Sequence, residues 1–273
     1  MSGAAKVQAV IVDWAGTVID HGSRAPMGAF VRAFKEFGVD ITIADARGPM
    51  GMAKWDHIWA LGQLPKVQAG WQGAHGRPFG KDDADAIFRV FEPMNVAAVR
   101  DHADFIPGAL DSLAGLRERG IRIGSTTGYT RPIMEVVLQI AAAAEFAPEI
   151  VVCAGDLPAG RPSPLMMWYA MAKLGVWPAR TVVKVDDTIA GLGEGTAAGT
   201  WTVGLSLSGN MAGYGAEELA ALPPAEIAAI RTRAEAEMLG AGADFVIDSV
   251  ADLPGVIDVI DQRLAAGAHP RAA

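Results

Sequence analysis

Apolar positions run along the chain in two rhythms. Residues 8–13 (QAVIVD) are a short apolar run ending in an acid, the pattern of a strand buried on both faces. From residue 109 the chain alternates. A helical stretch over about 109–119 stops at Gly120, and strand 121–126 (IRIGST) follows. Next comes a helix that Thr130 can cap with Pro132 just inside. Strand 149–153 (EIVVC), a helix from Ser163-Pro164 to Gly175, strand 181–186 (TVVKVD), a helix over about 188–198 and strand 200–205 continue the series. A late strand at 244–248 and a final helix close it, and Gly and Ser mark 206–216 as a loop.

Strands alternating with helices predict a doubly wound parallel sheet covered on both faces, an α/β fold. Residues 22–100 break the alternation. Pro26 opens a helix that ends at Gly38, and 52–61, 65–73 and 82–98 continue as helical or loop material without a strand. Because this block begins just after the first strand, it reads as an inserted all-helical cap domain rather than as extra helices packed on the core. The expected division is a core of 1–21 and 101–273 with a cap of 22–100.

Composition narrows the function. Half the residues are hydrophobic (51%), ample for a large core, yet the longest apolar stretch, 133–147, is broken by Glu135, Gln139 and Glu145. No membrane association is expected, and the start of the chain lacks the pattern of an export signal. A single cysteine, Cys153, excludes an intrachain disulfide and suits a reducing, cytoplasmic setting. A net charge of −8 argues against nucleic acid. A small anion would need a local positive site made from a metal, Lys, Arg or helix N-termini.

Four strand ends carry candidate chemistry. Ligands of an open parallel sheet sit beyond the carboxyl ends of its strands. Asp13 stands there, followed by Gly16, which permits a sharp turn and close approach to a ligand, and by Thr17, whose hydroxyl can reach the Asp13 carboxylate. Thr126, Thr127 and Gly128 stand at the end of the second strand with hydroxyls and amides suited to an oxyanion. Arg161 offers a fork for phosphate, and Asp186-Asp187 offer oxygens for a hard divalent cation. Taken singly, each is equally well a helix cap, a turn or a solvated charge.

Their order, however, resembles the haloacid dehalogenase superfamily over almost the whole chain. Within it the stretches VDWAGT (12–17), PMGMAKWDH (49–57), GIRIGSTTGYTR (120–131), PAGRPSP (158–164), KVDDT (184–188) and GTWTVGL (199–205) resemble the phosphonatase family. That resemblance implies hydrolysis of phosphonoacetaldehyde, a small phosphonate, with Mg²⁺ held by Asp13, the Ala15 carbonyl and Asp187. It implies phosphonate binding by Thr127, Gly128, Arg161 and Gly16, and roles in catalysis for Asp13, Lys54, His57 and Met50. A cap-mediated homodimer and a place in 2-aminoethylphosphonate breakdown are also implied.

Two departures from the wider superfamily are informative. Its phosphatases usually carry an acid two positions after the nucleophile, to protonate an alkoxide; here that position is Ala15. Many relatives also have Gly-Asp followed by an Asp four residues on, where this chain has Asp186-Asp187 and Gly191. Metal ligation falls by alignment to Asp187, and the resemblance leaves Asp186 to orient a metal-bound water instead.

Cleaving a carbon–phosphorus bond expels a carbanion, and an imine accepts that electron pair as an enamine. The amine must be neutral, whereas a free Lys titrates near about 10.4. Lys54, between Met50, Met52, Trp55 and Ile58, has the apolar sequence neighbours that lower it, and His57 lies one turn on for proton transfer. The alternatives are another phosphohydrolase of the superfamily, or a phosphate-binding protein without catalysis.

Overall fold

The computed structural model describes residues 5–271. Six parallel strands form one sheet: β1 (Ala9–Val12), β2 (Arg122–Thr126), β3 (Ile150–Val152), β4 (Val182–Asp186), β5 (Trp201–Leu205) and β6 (Phe245–Ile247). Their spatial order is β3-β2-β1-β4-β5-β6. The order reverses between β1 and β4, the place where such sheets open a ligand crevice. Val12 is level with both Ser125 and Val185, so Asp13, Thr126 and Asp186 emerge side by side at one edge.

Every residue of β1 is buried. Val10 and Val12 enter one hydrophobic cluster, while Ala9 and Ile11 enter another on the opposite face. A period of two feeding two cores explains why this strand is an unbroken apolar run.

Five helices follow β1 without an intervening strand: α1 (Ala25–Glu36), α2 (Ile43–Arg47), α3 (Lys54–Gly62), α4 (Pro65–His75) and α5 (Lys81–Arg100). They enclose a hydrophobic cluster of their own that includes Phe30, Phe34, Ile58, Trp71 and Phe91. Phe30 and Phe91 stack with centroids 4.3 Å apart, tying α1 to α5. The remaining helices are α6 (Ala109–Glu118), α7 (Arg131–Ala143), α8 (Leu165–Leu174), α9 (Ile189–Ala198), α10 (Ala216–Ala220), α11 (Pro224–Gly240) and α12 (Leu253–Ala265). None of the described helices is long and apolar enough to cross a membrane.

The expected strands and helices are present with ends shifted by a residue or two. Three helices were not anticipated: α2, α10 and α11. The 17-residue α11 buries only Ile230, Ala234 and Met238, a single file spaced by four residues. So narrow a stripe among Ala and Glu carries little periodic signal.

Candidate active site

Asp13 is the residue after β1, and its backbone N–H donates to the Val185 carbonyl at 3.0 Å. That bond fixes the carboxylate at the mouth of the crevice. Gly16 follows with φ +77°, a left-handed conformation that glycine alone adopts cheaply. A Cβ at Gly16 would also come within 3.0 Å of the Asp187 carboxylate, so the loop and the acid pair are pressed together. Thr17 does not reach Asp13 as expected from the sequence. Its hydroxyl faces Asp187 Oδ1 at 3.4 Å, because the tight turn at Gly16 swings it toward β4.

Arg161 is buried and central. Its Nη2 donates to Asp13 Oδ1 at 2.8 Å and to the Thr126 carbonyl, and its Nε donates to Glu194 Oε2 at 3.0 Å. Burial works against its charge, but Asp186, Asp13 and Glu194 surround it and hold its pKa above the ordinary arginine value. Lys184, fully buried on β4, donates to Thr126 Oγ1 at 2.8 Å and lies 3.1 Å from Asp186 and 3.4 Å from Glu194.

Asp13, Asp186 and Asp187 each place a carboxylate oxygen within 4.8 Å of the others. Burial, the Arg161 charge and the Asp186 charge act on Asp13 in turn, and the balance raises its pKa to about 6. Asp187, which accepts the Asn210 amide at 2.7 Å, is raised well above the carboxylate range by burial and by the charges of Asp186 and Asp13. Asp186 is opposed by burial too, yet Arg161 and Lys184 bring it below the usual range. Crowded, buried, all-oxygen donors with too much negative charge fit a hard divalent cation.

The helical wall is different in kind. Lys54, the first residue of α3, is only 3% exposed. Its Nζ sits 3.9 Å from Met50 Sδ, 5.1 Å from the Tyr129 ring centroid and 5.8 Å from that of Phe30. Burial lowers its pKa to about 8 against the pull of Asp13. The expected neighbour Trp55 turns away, stacks on Trp59 and donates to Asp85 at 2.6 Å; Ile58 packs in the helical cluster. His57 is buried against Phe30, with centroids 4.0 Å apart. Its Nε2 donates to the Ala46 carbonyl at 2.8 Å, leaving Nδ1 as a free lone pair. Burial and then the Lys54 charge push its pKa well below the ordinary value, so the ring is neutral.

Both walls line one cavity. Asp13, Ala15, Met50, Lys54, Thr127, Gly128 and Arg161 all face it, and its interior is about 20 Å³, room for about one water. Gly128 is closed over by the helical side, since a Cβ there would lie 2.6 Å from the Met52 carbonyl. Thr127 accepts the Tyr129 amide at 3.1 Å, and Ser208 donates to the Gly16 carbonyl at 2.9 Å.

A family model for haloacid dehalogenase-like hydrolases matches residues 7–199. Phosphonoacetaldehyde hydrolase of Paraburkholderia phytofirmans is 51% identical over 264 residues, covering 97% of this chain and 99% of the relative. The Vibrio cholerae O395 enzyme of the same name is 48% identical over 266 residues, with 97% and 98% covered. The chain belongs to the phosphonoacetaldehyde hydrolase family. The crystal structure of a phosphonoacetaldehyde hydrolase-like protein from Oleispira antarctica superposes with a TM-score of 0.96 at 39% identity, covering 98% of this chain and 97% of that one. A β-phosphoglucomutase from Clostridium difficile, at 16% identity and TM-score 0.68, shares the fold.

Three residues of this family member's site have no signal in the sequence pattern, Glu194, Ser208 and Asn210, and Tyr129 is marked only by lying within a matched stretch. Lys184 was visible only within a matched stretch. A signal for it existed, because a lysine inside the apolar run VVKV of a central strand has no solvent-facing side to occupy.

Proposed function

We infer that this protein hydrolyses phosphonoacetaldehyde to acetaldehyde and phosphate. The observation that carries the reading is a buried amine with a lowered pKa, Lys54, facing the same cavity as the Asp13 carboxylate. Ala15 strengthens it, since a phosphate-ester hydrolase with this loop would lack its general acid.

The neutral Lys54 amine adds to the substrate aldehyde, and His57 Nδ1 accepts and returns the protons of carbinolamine formation and dehydration. The product is an iminium that joins Lys54 to the substrate. Asp13 attacks phosphorus, with Arg161, Thr127 and the Gly128 amide around the phosphonate oxygens. As the Asp13–phosphorus bond forms, the carbon–phosphorus bond breaks and its electron pair enters the iminium, giving an enamine on Lys54. Water releases phosphate from the aspartyl-phosphate. Protonation of the enamine and hydrolysis of the imine release acetaldehyde and restore Lys54.

Asp13, Asp187 and the Ala15 carbonyl would hold Mg²⁺, which supplies charge neutralisation for the phosphoryl oxygens. The helical segment acts as a cap. A cavity of about 20 Å³ is too small for the substrate, so the cap opens to admit it and closes for chemistry. The same reading has the enzyme work as a homodimer, which sedimentation velocity tests.

The test is borohydride reduction with substrate and Mg²⁺, followed by peptide mass analysis. The expected result is irreversible loss of phosphate release and a two-carbon adduct on Lys54. Full activity and an unmodified Lys54 after that treatment would rule the imine out.

A further inference from the structure

One arginine side chain crosses from the helical segment to the sheet domain. Arg47, the last residue of α2, reaches the loop 206–215 between β5 and α10. Its Nη2 donates to the Gly213 carbonyl at 3.0 Å, and its Nη1 donates to Asn210 Oδ1 at 3.2 Å and to the Gly22 carbonyl at 3.0 Å. Gly22 stands where the chain leaves the sheet domain for the helices, so one guanidinium grips the linker and the core loop together. Each of these acceptors is an uncharged oxygen. A rigid fork of donors suits several at once, which an ammonium does not.

The loop is shaped to receive it. Gly213 has φ +75°, and a Cβ there would lie 2.8 Å from the Arg47 guanidinium carbon, closer than real Cβ atoms approach a neighbour. The loop is also tied to the reaction cleft. The Ser208 carbonyl accepts the Gly22 amide at 2.7 Å, and the Ser208 hydroxyl donates to the Gly16 carbonyl at 2.9 Å. On the other side, the main chain around Arg47 carries the helical wall. The Arg47 carbonyl accepts the Met50 amide at 3.2 Å, and the Ala46 carbonyl accepts from His57 Nε2 at 2.8 Å. The Arg47 side chain therefore holds the core while its own turn holds the residues around Lys54.

We propose that Arg47 is the latch of the cap, a positioning residue whose guanidinium holds α2 against the loop 206–215 and so keeps Met50, Lys54 and His57 over Asp13. The inference rests on the cap movement of the proposed function and assigns the contact that sets its balance. Arg47 is not among the residues that line the reaction cavity, so it acts through α2. Losing two or more hydrogen bonds from a charged donor shifts an open–closed balance by about tenfold or more.

The test places spin labels on the cap at Gln72→Cys and on the core at Glu118→Cys, both exposed helix positions, in the full chain without substrate. Cys153 is buried and stays unlabelled. Double electron–electron resonance then reads the cap–core distance. Arg47→Met is expected to raise the ratio of long to short distances at least about tenfold. Arg47→Lys, which keeps the charge without the fork, should raise it by less. The rate of trinitrobenzenesulfonate labelling at Lys54, which needs an open cap, should rise with the same ratio, while circular dichroism stays unchanged. A wild-type distance distribution in Arg47→Met would overturn the proposal. So would a lower melting temperature with distances and Lys54 labelling unmoved, the mark of a merely structural residue. Should Arg47→Met not fold, the same two readouts on Arg47→Lys decide, and wild-type values there would overturn the latch. Neither readout uses substrate. A wild-type protein that releases no acetaldehyde would refute the proposed reaction, whereas unmoved labels in Arg47→Met would refute the latch and leave the reaction standing.

Discussion

On the strand side of the cleft, Arg161 is ringed by Asp13, Asp186 and Glu194, and its charge is reinforced. On the helical side, Lys54 lies against Met50, Phe30 and Tyr129, and burial brings its pKa down to about 8. Two basic side chains facing one cavity are thus tuned in opposite directions. Phosphoryl transfer needs fixed charges that do not reorganise, whereas imine formation needs an amine that has shed its proton. In the proposed mechanism, splitting these demands between a polar sheet edge and an apolar helix face lets one small cavity serve both.

The comparison is broken most severely at its two reactive atoms. Lys54→Ala and Asp13→Asn should each reduce acetaldehyde release by about 10⁴-fold or more. They should differ in one respect: borohydride with substrate still labels Lys54 in Asp13→Asn, because in the proposed reaction imine formation precedes attack on phosphorus. Equal loss of labelling in both variants would mean that the two walls do not work independently.

The charged wall is tested next, through stability. Glu194 accepts from Arg161 and from Thr126 and lies near Lys184, all of them buried. Removing it leaves the buried Arg161 Nε–H and Thr126 hydroxyl without their acceptor, so Glu194→Ala should cost about 3–5 kcal/mol in urea unfolding. A change under about 1 kcal/mol would place those groups in reach of water. The apolar wall is probed more gently by His57→Gln, which should slow imine formation and kcat/KM together by about 10²-fold. An effect on phosphate release without one on labelling would assign His57 to the wrong half of the reaction.

How legible each wall was in the sequence follows from the same contrast. The strands read clearly, because β1 and β4 must be apolar on both faces. Asp13, Thr127, Arg161 and Asp187 stand at strand ends or loop turns, where an ordered series of polar residues is visible against apolar runs. Glu194 could not be read that way: one acid on α9 looks solvated until the fold turns it toward Arg161. The surroundings of Lys54 were also partly misread. Its pocket is built from Phe30 on α1 and Tyr129 after β2, far away in sequence, while the adjacent Trp55 faces elsewhere. Local neighbours reveal that a lysine sits in apolar company; only tertiary packing reveals whose.

The amine itself offers the most direct measurement. In Asp13→Asn, where the carbon–phosphorus bond stays intact, the rate of borohydride capture at Lys54 is followed from pH 6 to pH 11. A lowered amine pKa means that the neutral, reactive fraction grows as pH rises, and it is half complete at or below the value of about 8 that burial sets against the pull of Asp13, because this variant has lost that pull. A half-maximum at or below about pH 8 is the predicted result. A half-maximum near about 10.4, the ordinary lysine value, would show a solvated amine and contradict the division of labour between the two walls.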